Sequence, residues 1–364
     1  MSVDDWGNLI AKQCVGCGKC TSECNLLGEI GLSPAELVAR GVTGEEAFSC
    51  ALCGACESVC PLGLSPKNVF QAKRIAAVEN SEYDIAQYQY LFPDREPNMM
   101  SCYREVYGIK YDDIVIPDNA STVFFPGCAM LTYAPALTRK VYAVLKESCD
   151  CEGILTECCA KPLKQMGLET NYIEMRAKLV DSIEKHKISK FIMACPGCYY
   201  ELAELLKPRG ISVQTIYEAS EITGQLGPYV GVCTIHDACP DRFTGIFAYQ
   251  VRNNLDQCGV SFIEMNHHQQ NTICCGSGGQ IGCLRPDLAE KQVKLRLEEA
   301  AEAGADILIS YCMSCVIHFA SEKTNIPVKH ALNFLLRCDE DYGVTKEKIA
   351  KMFAGSEGTA IWNR

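Results

Sequence analysis

Two cysteine runs near the start of the chain decide how its first part must fold. They are CVGCGKCTSEC at residues 14–24 and CALCGACESVCP at residues 50–61. In each run, two, two and three residues separate four successive cysteines, and a proline follows the second run. Thiolates repeated every third residue suit a [4Fe–4S] cluster. The sequence therefore predicts two such clusters close together.

The fourth cysteine of each run is expected to cross to the other cluster, as it does in two-cluster ferredoxins. One cubane [4Fe–4S] cluster is then assigned to Cys14, Cys17, Cys20 and Cys60. The other cubane cluster is assigned to Cys50, Cys53, Cys56 and Cys24. The alternative is two zinc sites, although zinc sites usually pair their cysteines across a longer spacer.

Helix-start signals fill the spaces around these runs. Ser33-Pro34-x-Glu36 and Thr43-x-x-Glu46 have the pattern of capping boxes, and Ser65-Pro66 has the pattern of a third helix start. Residues 1–80 are therefore predicted to be a helical ferredoxin domain. Residues 81–120, which are rich in tyrosine and interrupted by proline, are predicted to be a packed tether.

The overall composition excludes several classes of protein. The 364 residues carry a formal charge of −11 and lack a Lys/Arg-rich run, which argues against a nucleic-acid partner. No secretory signal and no apolar stretch of membrane-spanning length is evident, so we expect a cytoplasmic protein without a transmembrane segment of its own. The 25 cysteines are odd in number and lie in a long chain, so metal ligation explains them better than a disulfide framework.

An internal repeat organises the rest of the sequence. A cysteine, a Cys-Cys pair and a Cys-x2-Cys motif occur twice, at offsets of 111 to 117 residues. Residues 121–228 and 229–338 are therefore predicted to be duplicated domains, and residues 339–364 a C-terminal helix and tail. The first set of five is Cys128, Cys158, Cys159, Cys195 and Cys198. The second set of five is Cys239, Cys274, Cys275, Cys312 and Cys315.

Each half alternates short apolar strands with helices, which predicts an α/β fold with a parallel sheet in each of two pseudo-symmetric lobes. Strands that run into cysteines place the thiols at the carboxyl edge of the sheet, where open α/β sheets bind ligands. The glycine-rich stretch Gly276–Gly279 is expected to let the backbone approach a bulky cofactor. A thioredoxin-like dithiol at Cys195 and Cys198 is an alternative, but it leaves the paired cysteines unexplained.

The repeated arrangement of cysteines resembles that of the CCG-domain iron–sulfur proteins. With the helical two-cluster domain in front, residues 1–338 resemble the D-type subunits of heterodisulfide reductases, which correspond to joined C and B subunits. Iron–sulfur subunits of anaerobic glycerol-3-phosphate, glycolate and lactate dehydrogenases share the pattern. The resemblance implies a noncubane [4Fe–4S] cluster in each set of five cysteines, at which a disulfide is cleaved. One departure is Ala160, where the family has glycine.

The resemblance also implies catalytic residues. We expect activity to depend on Cys159 and Cys275, which belong to the two Cys-Cys pairs. From their positions in the sequence, His236, three residues before Cys239, and Lys161, beside the first Cys-Cys pair, are candidate proton donors. The alternatives are a buried core histidine and a solvated or cluster-balancing charge. Another histidine, His318, is expected in a loop or at the surface.

The absence of a flavin or nicotinamide motif implies partner subunits. We expect a flavoprotein, or a membrane cytochrome or other quinone-reactive subunit that holds the chain at the membrane periphery. The expected substrate is a small-molecule disulfide or thiol. One alternative is a non-catalytic relay that passes electrons from a flavin dehydrogenase toward quinone, and another is a structural zinc protein.

Overall fold

The computed structural model describes residues 1–219, 231–320 and 326–354. The predicted boundary between residues 228 and 229, and the predicted tail beyond residue 354, lie outside the described residues. Along the chain, a helical N-terminal part is followed by a connecting segment and then by two α/β lobes.

The N-terminal part is helical, as predicted. Its helices are α1 (Val3–Gln13), α2 (Lys19–Glu23), α3 (Asn25–Ile30), α4 (Pro34–Arg40), α5 (Gly44–Phe48), α6 (Ala55–Ser58) and α7 (Pro66–Glu79). Both capping boxes form, since the side chains of Ser33 and Thr43 cap α4 and α5. Ser65 precedes α7 but does not cap it, because its hydroxyl donates to Glu57 at 2.7 Å.

The connecting segment between residues 81 and 120 contains a 3₁₀ helix (Ile85–Leu91) and α8 (Met99–Val106). Its aromatic side chains contact the units on both sides. Tyr83 stacks on Phe48 of the N-terminal part, with ring centroids 3.9 Å apart, and Tyr103 packs edge-on against Tyr133 of the first lobe.

The first lobe is a four-stranded parallel sheet covered by helices. Its elements are β1 (Thr122–Phe125), α9 (Cys128–Tyr133), α10 (Pro135–Cys149), β2 (Gly153–Ile154), α11 (Lys161–Gln165), α12 (Glu169–His186), β3 (Lys190–Met193), α13 (Pro196–Leu206), β4 (Ser212–Thr215) and α14 (Ile216–Ala219). The strand order is β2-β1-β3-β4. Phe124 on β1 pairs with Ile154 and Ile192, and this register buries the apolar strands on both faces.

The second lobe repeats this topology. Its elements are β5 (Cys233–His236), α15 (Ile246–Gln257), β6 (Phe262–Ile263), α16 (Ile281–Leu284), α17 (Pro286–Glu302), β7 (Ile307–Ser310), α18 (Met313–Phe319), β8 (Val328–His330) and α19 (Ala331–Leu336). The strand order is β6-β5-β7-β8, again parallel. The predicted fold class and the duplicated sheets are confirmed, and α20 (Tyr342–Met352) follows the lobe.

Strand order positions the cysteines. In each sheet the first strand of the lobe, β1 or β5, is an inner strand, with the second strand on one side of it and the third strand on the other. The chain therefore changes direction across the sheet between the first and the third strand, which creates a switch point between them. Cys128 and Cys195 follow the two strands that flank the switch point in the first lobe. Cys239 and Cys312 do so in the second. Within the described ranges, no helix has both the length and the apolar character needed to cross a bilayer.

Candidate metal centres

The outer group of four cysteines, Cys14, Cys17, Cys20 and Cys60, surrounds a pocket near the surface. Burial is the main cause that raises the pKa of Cys20, and the nearby Cys14 raises it further. Cys17 is exposed, and Val15 at the pocket rim is 72% exposed. We call these four residues the outer group because one edge of the site reaches solvent.

The inner group consists of Cys24, Cys50, Cys53 and Cys56, which lie close enough to perturb one another. Burial raises the pKa of Cys24 to about 11 and that of Cys50 to about 12. The left-handed Gly18 and Gly54, both at φ 77°, turn the chain at the same point of each run. The structure thus brings the fourth cysteine of each run to the first three of the other.

Such groups fit a metal cluster on chemical grounds. Burial raises the pKa of Cys24, Cys50 and Cys56, so these thiols resist ionisation, whereas a bound metal core favours their thiolate forms. Two positive charges also lie beside the inner group. The fully buried Arg74 donates to the carbonyl oxygen of Cys50 at 2.6 Å. Arg242, 4% exposed, donates to the carbonyl oxygen of Cys53 at 3.1 Å. An anionic cluster with four thiolates matches these surroundings.

The two sets of five cysteines have the same order of contacts. In the first lobe, hydrogen-bonding contacts between side chains run in the order Cys128, Cys158, Cys159, Cys198 and Cys195. In the second lobe, they run in the order Cys239, Cys274, Cys275, Cys315 and Cys312. The middle member is Cys159 in one lobe and Cys275 in the other. Hydrogen bonds from both neighbouring cysteines hold the pKa of each middle thiol well below its usual range.

The glycine-rich stretch contacts protein backbone. A Cβ on Gly278 would lie 2.4 Å from the carbonyl oxygen of Ala51, and one on Gly279 would lie 2.5 Å from that of Cys50. These glycines therefore let the second lobe pack against the backbone of the inner group. The approach of this stretch to a bulky cofactor stays a prediction. At the same junction Cys274 hydrogen-bonds to Cys53 and is the main reason that the pKa of Cys53 falls to about 6.

The two predicted proton donors lie beside the middle cysteines. His236 is buried, and one of its ring nitrogens lies within 4.8 Å of the sulfurs of Cys275 and Cys315. Its Nδ1 accepts a hydrogen bond from the Nε of Arg296 at 3.4 Å. Lys161, at the start of α11, is half-buried, and its charge helps to lower the pKa of Cys159.

Sequence analysis missed three residues near these sites. His318 was expected in a loop or at the surface, but it is half-buried on α18, with its ring against Gly276 and Gly282. Arg74 occupies the buried face of α7 with Phe70 four residues before it, so a charge on an apolar face was the available signal. The sequence around Arg242 has no comparable pattern that marks this arginine as buried.

Comparison with protein families identifies the same units. Residues 122–203 and 233–320 match the cysteine-rich CCG domain. Residues 13–65 match a 4Fe-4S dicluster domain. The chain therefore combines a 4Fe-4S dicluster domain with two cysteine-rich CCG domains, as its sequence predicts.

Among curated proteins, the chain is similar to oxidoreductase subunits over most of its length. It is 27% identical to the D-type subunit of dihydromethanophenazine:CoB–CoM heterodisulfide reductase from Methanosarcina barkeri, over 85% of this chain and 90% of that protein. It is 22% identical to the B-type subunit of fumarate reductase (CoM/CoB) from Methanothermobacter marburgensis, over 90% of this chain and 72% of that protein. EtfAB:quinone oxidoreductase from Syntrophomonas wolfei is also 22% identical, over 77% of this chain and 44% of that protein.

Proposed function

We propose that the chain is the iron–sulfur subunit of a heterodisulfide reductase-like complex and that it reduces a small-molecule disulfide or, in reverse, oxidises two thiols. The observation that carries the proposal is the identical order of sulfur contacts in two five-cysteine groups. Both groups lie at the carboxyl edges of duplicated sheets. Similarity to the D-type subunit of a heterodisulfide reductase, over most of both chains, supports the same assignment.

The outer and inner groups would each hold a cubane [4Fe–4S] cluster, and each set of five cysteines would hold a noncubane [4Fe–4S] cluster. When bound, the cubane clusters supply one-electron transfer and the five-cysteine clusters supply the place of disulfide cleavage. The reaction is R–S–S–R′ + 2e⁻ + 2H⁺ → R–SH + R′–SH, so two electrons and two protons must arrive together with the substrate.

The chain's own residues arrange these parts. The contact between Cys53 and Cys274 places the inner group directly beside the second set of five. Lys161 and His236 lie beside the middle cysteines, so we propose them as the groups that hold the protons. Arg296 orients the His236 ring through Nδ1.

Electrons must be exchanged with partner subunits. We propose a flavoprotein, or a membrane cytochrome or other quinone-reactive subunit, as the partner of this cytoplasmic chain, which such a subunit would hold at the membrane periphery. The second candidate function is a non-catalytic relay from a flavin dehydrogenase toward quinone, and the similarity to EtfAB:quinone oxidoreductase favours it.

Anaerobic EPR spectroscopy with substrate separates these functions. For a catalytic subunit we expect a cluster signal that depends on added disulfide or thiol, and two thiols released per disulfide consumed. The variants Cys159→Ser and Cys275→Ser should lose both the signal and the activity. Cys151→Ser is the matched control, because Cys151 is equally buried but belongs to neither set. A relay would show cluster reduction without any substrate-dependent signal.

A further inference from the structure

Two buried arginines come from distant parts of the chain to the same cysteine group. Arg74 lies on α7, and Arg242 follows the 3₁₀ turn Cys239–Asp241 in the second lobe. Both guanidinium groups donate to backbone carbonyl oxygens of the inner cysteine run, Arg74 to Cys50 and Arg242 to Cys53. The loop that carries Cys50 and Cys53 is thus contacted by two buried positive charges.

Arg74 is the more completely enclosed of the two. Its side chain is 0% exposed. It donates to five carbonyl oxygens, those of Ala47, Phe48, Cys50, Gln165 and Gly279. These acceptors belong to the N-terminal part, the first lobe and the second lobe, so all three units fix the position of the guanidinium group. Burial lowers the pKa of Arg74 only to about 10, which leaves it protonated near neutral pH.

Neither arginine has a carboxylate partner within the ranges that the structure describes. A buried cation without an anion is costly, because carbonyl dipoles replace only part of its hydration. The anion that this arrangement lacks is one that the inner group provides when its four cysteines ligate a cluster.

The outer group has different surroundings. Its pocket is lined by exposed residues such as Val15 and Leu62, and the cation in its lining is the exposed Lys19, whose charge is hydrated by solvent, whereas Arg74 and Arg242 are buried. Solvent stabilises the reduced form of a cluster, which carries the greater negative charge, whereas burial destabilises that form. Burial alone would therefore give the inner cluster the lower reduction potential, and electrons would stop at the outer one.

We propose that Arg74 and Arg242 are positioning residues that raise the reduction potential of the inner cluster, so that electrons pass inward from the outer cluster toward the second lobe. The proposal rests on the proposed function, since it requires cubane clusters at both groups. A fixed positive charge close to the ligands stabilises the reduced form more than the oxidised form, because the reduced cluster carries one more negative charge. The nearby Cys274 makes the second lobe the next acceptor.

The test is an anaerobic EPR redox titration of the full chain carrying Arg74→Gln or Arg74→Lys. In Arg74→Gln, the reduced-to-oxidised ratio of the inner cluster at a fixed potential should fall about tenfold, which is ~59 mV for one electron. Arg74→Lys keeps the charge and should keep most of the potential. Arg139→Gln, which removes a half-exposed arginine paired with Asp113, is the control and should leave both cubane potentials unchanged.

Arg242→Gln and Arg242→Lys form a second pair, in case loss of the five carbonyl contacts of Arg74 prevents folding. Equal potentials in the glutamine and lysine variants at either position would overturn the proposal, because charge would then have no role. Iron and EPR analysis of the unaltered chain separates the two ideas. If it holds no cubane clusters, the proposed function fails, whereas clusters with unshifted potentials defeat only the role of the arginines.

Discussion

The two lobes share a scaffold and differ in what surrounds it. Strand order, strand direction and the order of sulfur contacts are the same in both. Within the described residues, only the second lobe places a glycine stretch and one of its five grouped cysteines, Cys274, against the inner cysteine group. Three residues before the first cysteine of each set, the first lobe has Phe125 and the second has His236. The duplicated sheet therefore preserves the sulfur arrangement, while each lobe has acquired its own neighbours.

This comparison indicates an order of electron arrival. Because the inner group touches the second lobe through Cys53 and Cys274, we expect electrons to reach that lobe before the first. The first lobe meets the N-terminal part at another point, where Gly167 packs against the carbonyl oxygen of Arg74. That contact is structural and involves no cysteine.

The largest effect is expected where the second lobe meets the inner group. In Gly278→Ala the new Cβ would lie 2.4 Å from the Ala51 carbonyl oxygen, so the two backbones must separate. We expect this overpacking to lower the free energy of unfolding by about 3 kcal/mol. Anaerobic denaturant unfolding measures it. The control is Gly7→Ala in α1, whose Cβ would be 3.9 Å from its neighbour and should be neutral or stabilising. An equally stable Gly278→Ala variant would contradict the close junction.

A smaller difference concerns the cap at the end of the fourth strand of each sheet. Thr215 caps the helix turn in the first lobe, and His330 caps α19 in the second. Burial lowers the pKa of His330 to about 4, so the unfolded chain binds a proton at higher pH than the folded chain. The stability that the neutral ring of His330 contributes is fully present above the pKa that His330 has in the unfolded chain. It is lost as the pH falls from that value toward the folded pKa of about 4.

Between about pH 7 and pH 5, the shifted pKa of His330 should lower the free energy of unfolding by about 2 kcal/mol. His330→Thr, which copies the cap of the first lobe, should abolish that part of the acid sensitivity. The measurement is thermal unfolding of both chains under anaerobic conditions across this pH range. Parallel pH profiles for the two chains would show that His330 already titrates normally in the folded state.

The smallest effect is expected after the Cys-Cys pair of the first lobe. Ala160 is fully buried and adopts a left-handed conformation, φ 63°, where the second lobe has Gly276 at φ 85°. Ala160→Gly should relieve this strain and raise stability by about 1 kcal/mol. Ala129→Gly on α9 is the control, and it should lower stability because its backbone is helical. A loss of stability in Ala160→Gly would contradict the strain.

Much of this arrangement is predictable from the sequence, because local patterns encode it. The spacing within each cysteine run, the two capping boxes and the repeat offsets each predict a local element or a duplicated unit, and the fold agrees. The contacts between units are not predictable in this way. The approach of Gly278 to Ala51 and the five carbonyl bonds of Arg74 depend on segments far apart in sequence, and no periodicity marks them.

The central claim is that both lobes hold redox-active iron–sulfur clusters in equivalent five-cysteine sites. The most direct measurement is metal and sulfide analysis combined with EPR of the anaerobically purified chain and of its Cys159→Ser and Cys275→Ser variants. We predict iron and labile sulfide in the unaltered chain, and loss of a distinct cluster signal in each variant while the cubane signals persist. A colourless protein that contains only zinc, or variants whose cluster signals match those of the unaltered chain, would contradict the account.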